Sequence, residues 1–245
     1  MLKPFIRSVF EKLQLVRGSL NRNDRAGALH RAWGYVFTNH MRGDYYEFGV
    51  YKGDALIRSF QEYQVFRQWI QGQTRSSEAW RRDTSKKYAE YHSGNRLRFV
   101  GLDTFDGMPA NQEGNITFAQ GTFQSDETEV VLRCSNAGLQ SPQLVLLKGL
   151  FETTRAKLLS DPELQPAAII NLDCDLYASA RDALAACEKI VQDGTVLLCD
   201  DYHCFNASNA SGERKALREF CEKTRVECEP WFAYQFTGQA FLCHR

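Results

Sequence analysis

Two acidic clusters, Asp173-Cys174-Asp175 and Asp200-Asp201, each follow a short apolar run, Ala167–Leu172 and Thr195–Cys199. If those runs are neighbouring β-strands, they lie about 4.8 Å apart. Four carboxylates then share one mouth. Ionised together and unpaired they repel, and some are driven toward the neutral form. A hard divalent cation removes that penalty, and Mg²⁺ accepts carboxylate oxygens together with waters.

Three further strand ends carry chemistry. The first is followed by Glu47-Phe48-Gly49-Val50-Tyr51-Lys52-Gly53, whose glycines let the backbone turn and approach a ligand. It is not the G-x-G-x-x-G of a dinucleotide site, and Glu47 would repel a pyrophosphate. A ligand bearing positive charge suits it, and the sulfonium and amino group of S-adenosylmethionine fit. The second ends in Gly101-Leu102-Asp103-Thr104-Phe105-Asp106-Gly107, where an acid can accept hydrogen bonds from ribose hydroxyls. The third runs into Lys148-Gly149-Leu150-Phe151, where Gly149 permits close approach of a flat ring and Leu150 or Phe151 can pack on it. The expected cofactor contacts are Glu47, Gly49, Val50, Tyr51, Gly53, Asp103, Thr104, Phe105, Gly149, Leu150 and Asp173. Tyr177, Tyr202 and His203 are candidates to orient a substrate, and His203 is a rival base.

These tips need elements to position them. Short β-rich runs at Tyr45–Val50, Arg98–Phe105, Leu144–Leu147, Ala167–Asp173 and Thr195–Cys199 alternate with helical stretches at 55–71, 127–137, 153–159, 178–191 and 213–223. Two last strands are expected near 227–232 and 239–244. Inner runs such as Ala167-Ala168-Ile169-Ile170 are apolar on both faces, as when helices cover both sides of a parallel sheet. The alternation predicts an α/β fold with a doubly wound, mostly parallel sheet. Ligands of such sheets sit beyond the carboxyl ends of the strands.

With 245 residues and 43% hydrophobic content the chain is expected to form a single domain, 1–245. Residues 1–42 read as an N-terminal helical cap, with Leu2, Phe5, Ile6, Val9, Phe10 and Leu13 forming an apolar stripe. Residues 61–98 read as a helical insertion rich in Arg, Lys and aromatics, fit for a subunit contact or a substrate cap. Thirty Lys and Arg balance thirty Asp and Glu, so no basic excess points to nucleic acid. No apolar run spans a bilayer and no secretory signal opens the chain, so the expected location is cytoplasmic. The eight cysteines, all from Cys134 onward, read as reduced thiols.

The strand ends together resemble the macrocin O-methyltransferase (TylF-type) family, bacterial enzymes that methylate sugar hydroxyls on natural products. The matching stretches are 43–53, 102–109, 148–154, Leu172-Asp173-Cys174-Asp175-Leu176-Tyr177 and Asp200-Asp201-Tyr202, in family order. The resemblance implies a class I methyltransferase fold of Rossmann-like type. It implies Asp173, Asp200 and Asp201 as metal ligands, Asp175 as general base, and Glu47, Gly49 and Asp103 around the cofactor. It also suggests a homo-oligomer, with a dimer favoured. The chain departs from the family pattern at Leu150, where a tryptophan is usual.

The expected activity is therefore metal-dependent O-methyl transfer from S-adenosylmethionine to a sugar or glycosylated small molecule. A sugar hydroxyl ionises much as water does, near pKa 15.7. Reaching it from pH 7 costs about 12 kcal/mol at 1.36 kcal/mol per unit. A bound divalent cation lowers that cost, and Asp175 can take the proton late. The alternatives are a catechol or phenol O-methyltransferase, whose acceptor is more acidic, a nicotinamide oxidoreductase, which lacks its glycine-rich turn here, and a non-catalytic cofactor-binding module.

Overall fold

The computed structural model describes residues 23–94, 96–111, 113 and 116–245. The apolar stripe expected at Leu2–Leu13 lies outside them. Seven strands form one sheet: β1 (Asp44–Phe48), β2 (Phe99–Asp103), β3 (Leu144–Lys148), β4 (Ala167–Leu172), β5 (Thr195–Cys199), β6 (Glu227–Tyr234) and β7 (Gly238–His244). Their order is β3-β2-β1-β4-β5-β7-β6. The first five are parallel, and β7 runs antiparallel to both β5 and β6. Strand order reverses between β1 and β4, so the crevice of a doubly wound sheet opens there.

Period-two side chains divide the core. Tyr45, Ile169, Val196 and Leu198 face one layer; Tyr46, Phe48, Ile170 and Leu197 face the other. The first layer is α1 (Arg25–Thr38), α2 (Asp54–Gln73) and α3 (Ala79–Ser93). The second holds α5 (Phe151–Leu159), α6 (Tyr177–Ile190) and α7 (Gly212–Lys223), while α4 (Glu127–Asn136) follows the long loop after β2. Between β5 and α7, the one-turn segment Cys204–Ala207 holds Phe205, Asn206 and Ala207 in left-handed conformations.

Helix α1 matters most for the site. Asp24 caps it by accepting the Gly27 N–H at 2.8 Å. Leu29, Ala32, Trp33, Val36 and Phe37 recur at helical spacing and are fully buried. Each large apolar side chain so buried stabilises the fold by about 1.5–3 kcal/mol. The Trp33 indole N–H donates to Ser59 Oγ of α2 at 2.9 Å, which fixes the two helices together. Fourteen residues give a helix about 21 Å long, enough to cross a sheet of five-residue strands. Since α1 ends just before β1 begins, its first residue, Arg25, stands at the carboxyl edge of the sheet.

The segment expected as an insertion, 61–98, takes the form of the second half of α2, then α3, then the lead into β2. Its Arg98 is a buried residue at the amino edge of the sheet. Arg98 Nε donates to Asp44 Oδ2 at 2.9 Å, Nη1 to Asp161 at 2.7 Å and Nη2 to the Glu163 carbonyl at 2.7 Å. All eight cysteines are free thiols. Among the described residues no helix is long and apolar enough to cross a membrane.

Candidate functional site

The acidic tips are brought together by the sheet ladder. The Asp173 N–H donates to the Phe48 carbonyl at 2.9 Å, and the Asp200 N–H to the Leu172 carbonyl at 2.9 Å. Each aspartate is therefore the first residue beyond its strand and is still held in register with its neighbour. Gly49 makes the β1 end compatible with this. Its φ is +94°, and a Cβ there would stand 1.8 Å from the Asp173 carbonyl oxygen, so no side chain fits.

Asp173, Asp200 and Asp201 each offer an oxygen, all within 4.8 Å of one another. Three carboxylates are hard donors of the kind Mg²⁺ takes, so the residues fit a divalent cation. Asp175 sits beside them with φ +60°, a left-handed conformation that is uncommon for aspartate and that re-aims its side chain. Burial, then Asp201, pushes the Asp175 carboxyl up to about 10. Asp173 is also raised, by burial first, although Arg25 opposes the shift. Asp201 is raised by burial, with its hydrogen bonds to Asp175 and Cys204 acting the other way. The Cys204 thiol donates to Asp201 Oδ1 at 3.1 Å.

A cleft of about 580 Å³ opens over this cluster. Its walls include Gly49, Val50 and Tyr51 after β1, Asp103 at the end of β2, Thr104 after it, and Leu150 after β3. The long loop after β2 covers it with Met108, Pro109, Phe118 and Phe123. Asp103 organises this wall: Oδ2 accepts the Val50 and Tyr51 N–H groups, each at 2.7 Å, and Oδ1 accepts the Phe105 N–H at 2.7 Å.

Other expected contacts stand behind the wall. Glu47 is fully buried and accepts the Tyr45 hydroxyl, while its Oε1 completes no hydrogen bond. Burial pushes its carboxyl up to about 8. Gly53 precedes α2 and Gly149 precedes the α5 cap, both with positive φ, and Phe105 is buried; none lines the cleft. The substrate candidates also lie off it. The Tyr177 hydroxyl donates to Glu219 of α7 at 2.9 Å, Tyr202 packs on Phe241, and His203 meets Tyr202 edge-on. The physical reason is that α6 starts at Tyr177, which turns its ring toward α7.

Three residues of the site escape sequence reading. Arg25 places Nη1 2.8 Å from Asp173 Oδ2 and Nε 3.2 Å from Asp200 Oδ1, with Nη2 against Asp200 Oδ2. Gln235, from the β6–β7 turn, donates to Asp200 Oδ1 at 2.9 Å. Glu213, buried in the first turn of α7, accepts the Cys174 N–H at 3.3 Å and the Asp201 N–H at 3.1 Å. The one legible signal is for Glu213, an acid in a first helical turn, which is a common surface pattern.

The macrocin-O-methyltransferase (TylF) family matches residues 61–235. Among solved structures, the O-methyltransferase NovP superposes with a TM-score of 0.66 at 21% identity, covering 90% of this chain and 80% of that one. The calicheamicin methyltransferase CalS11 gives 0.60 at 19% identity, covering 89% and 77%. TomG, an O-methyltransferase from Streptomyces achromogenes solved with SAM, gives 0.50 at 11% identity, covering 88% and 79%. At these identities the likeness concerns the fold. No curated protein sequence matches the chain.

Proposed function

The chain belongs to the macrocin-O-methyltransferase (TylF) family and is a methyltransferase, and on that premise we propose that it transfers a methyl group from S-adenosylmethionine to a sugar hydroxyl, with a divalent cation held by Asp173, Asp200 and Asp201. The observation that carries this reading is the union of three carboxylates, Asp175 and the Asp103 wall in one cleft. The choice of a sugar leans on the neighbour CalS11, described as a TDP-rhamnose 3′-O-methyltransferase.

The residues divide the work. Asp103 holds the loop after β1 against the cleft and keeps one lone pair, on Oδ1, for a ribose hydroxyl. Leu150, about half exposed at the rim, offers an apolar face to a flat base. The acidic floor suits a donor whose sulfonium and amino group are positive, and that donor supplies the electrophilic methyl. The cation supplies charge that makes a hydroxyl acidic. With a cation bound, its charge would favour the ionised form of Asp175, which burial and Asp201 otherwise hold protonated, and Asp175 would then accept the hydroxyl proton on a carboxylate oxygen as charge leaves the acceptor. Glu213 holds the backbone of Cys174 and Asp201, so Asp175 and the cluster keep one spacing. The covering loop after β2 excludes water and aligns acceptor with methyl.

Calorimetry with S-adenosylhomocysteine, followed by methylation assays on nucleotide sugars with Mg²⁺ or EDTA, tests the reading. Binding of the cofactor product and EDTA-sensitive turnover on a sugar are expected. No binding would remove the donor assignment, and turnover indifferent to EDTA would remove the cation.

A further inference from the structure

Arg25 is the one cationic side chain among the described residues that forms an ion pair with the proposed cation ligands. Its guanidinium fork faces Asp200 with Nε and Nη2 and reaches Asp173 with Nη1. These contacts use Asp173 Oδ2 and both oxygens of Asp200. A divalent ion held by Asp173, Asp200 and Asp201 would have to share at least one Asp200 oxygen with Arg25, since Arg25 engages both. A guanidinium and a dication drawing on one set of oxygens repel each other strongly at that range.

The rest of Arg25 is built for exchange rather than for permanent burial. Its helix is fixed by the Asp24 cap and the buried Leu29 and Trp33, so the main chain stays put. The side chain is about a third exposed, at 34%, and its flexible stem can carry the guanidinium out toward the cleft. Gln235 also donates to Asp200 Oδ1, and as an amide it brings no net charge to the cluster. Gln235 is itself held by its own N–H to the Asn23 carbonyl at 2.8 Å, next to α1.

We propose that Arg25 is a built-in counter-cation of the acidic cluster, which holds Asp173 and Asp200 together when no metal is bound and must be displaced for a divalent ion to enter. Arg25 thereby sets the metal affinity of the site. This rests on the metal reading given above and adds a residue from the helix that precedes β1.

The test is Mn²⁺ binding, counted by the paramagnetic resonance of the free ion, in wild type, Arg25→Lys and Arg25→Ala. Binding in Arg25→Ala is expected to tighten by about tenfold or more, with Arg25→Lys between. Millimolar guanidinium chloride should weaken Mn²⁺ binding to Arg25→Ala toward the wild-type value, and equal sodium chloride should not. That contrast separates occupation of the site from a general change in charge. If Arg25→Ala fails to fold, Arg25→Lys against wild type decides, because an ammonium loses the bidentate grip on Asp200. Equal or weaker binding in the variants overturns the role of Arg25 and leaves the metal reading standing. Absence of Mn²⁺ binding in every chain overturns both.

Discussion

The Asp201 N–H donates to Glu213 Oε2 at 3.1 Å, so a helix acid holds the strand end that carries two proposed cation ligands. The other oxygen takes the Cys174 N–H at 3.3 Å. One carboxylate therefore ties the β4 and β5 tips together. Burial, then Asp201 and Asp175, pushes the Glu213 carboxyl well above the usual range. Removing it leaves a buried Cys174 N–H and a part-buried Asp201 N–H unpaired, at about 1–3 kcal/mol each. Glu213→Ala is therefore expected to lose about 2–6 kcal/mol of stability, read as a lower urea midpoint. Glu213→Gln retains one acceptor and should fall between.

At the opposite edge of the sheet, Arg98 bolts β1 to the segment before β4. Its side chain and backbone N–H both meet Asp44, which is fully buried. Breaking one partner of such a pair strands a buried charge and costs about 3–5 kcal/mol. Asp44→Ala should lose that much in chemical denaturation. Arg98→Ala in the same background should add less than it does alone, because the Asp44 contact is already gone, but it still loses the bonds to Asp161 and the Glu163 carbonyl.

The strands were legible because β1, β4 and β5 are buried on both faces, and their apolar runs end abruptly in Glu47-x-Gly49, Asp173 and Asp200. Proximity of the acidic tips followed from strand adjacency, and the ladder bonds of Asp173 and Asp200 realise it. Contacts that cross layers were not legible. Arg25 reaches Asp200 across 175 residues of sequence, and no spacing rule connects them. Arg98 looked like one more charge in the basic stretch 61–98, because burial has no local signature in a charged residue. Where the Tyr177 ring goes was not legible either: helix α6 starts there, and the hydroxyl of its first residue meets Glu219 of α7.

Acid should weaken the fold through His92. The ring is buried, lies 4.7 Å from Phe37, and shares a hydrogen bond with Tyr63 at 3.2 Å. Burial, then Arg67 and Arg42, lowers its pKa from 6.5 to about 3. The unfolded chain therefore binds a proton that the folded chain refuses. The contribution is fully present above pH 6.5 and is lost progressively as pH falls from there toward 3. At pH 5 the loss is about 2 kcal/mol, at 1.36 kcal/mol per unit. His92→Phe should show a flatter stability profile than wild type between pH 7 and 5, measured by urea melts at each pH.

Leu150 is the rim residue whose contact with the flat base of the cofactor can be checked. It lines the cleft and is 49% exposed, so apolar area is available to a bound base. Truncation to Ala removes the part of the side chain beyond Cβ, at about 0.8 kcal/mol per buried methylene. Leu150→Ala is expected to weaken S-adenosylhomocysteine binding about tenfold, with no change in melting temperature of the free protein. Leu150→Trp should tighten it. Unchanged affinity in both variants would move the base to another wall of the cleft.

Asp175 is the residue on which the chemistry rests. It shares the cleft with the three ligand carboxylates, and its left-handed backbone keeps it apart from Asp173 although only Cys174 separates them. An asparagine there keeps the shape and can still hydrogen-bond Asp201, but it cannot take a proton. Cofactor affinity should therefore survive in Asp175→Asn, since the acceptor-proton step plays no part in binding. Turnover should fall by about 10²–10⁴, the usual worth of a positioned base. The decisive comparison is kcat against the calorimetric affinity for S-adenosylhomocysteine. A drop in kcat alone places Asp175 on the acceptor hydroxyl. A matched drop in both would make it part of the cofactor wall, and near-normal kcat would pass the base role to another group.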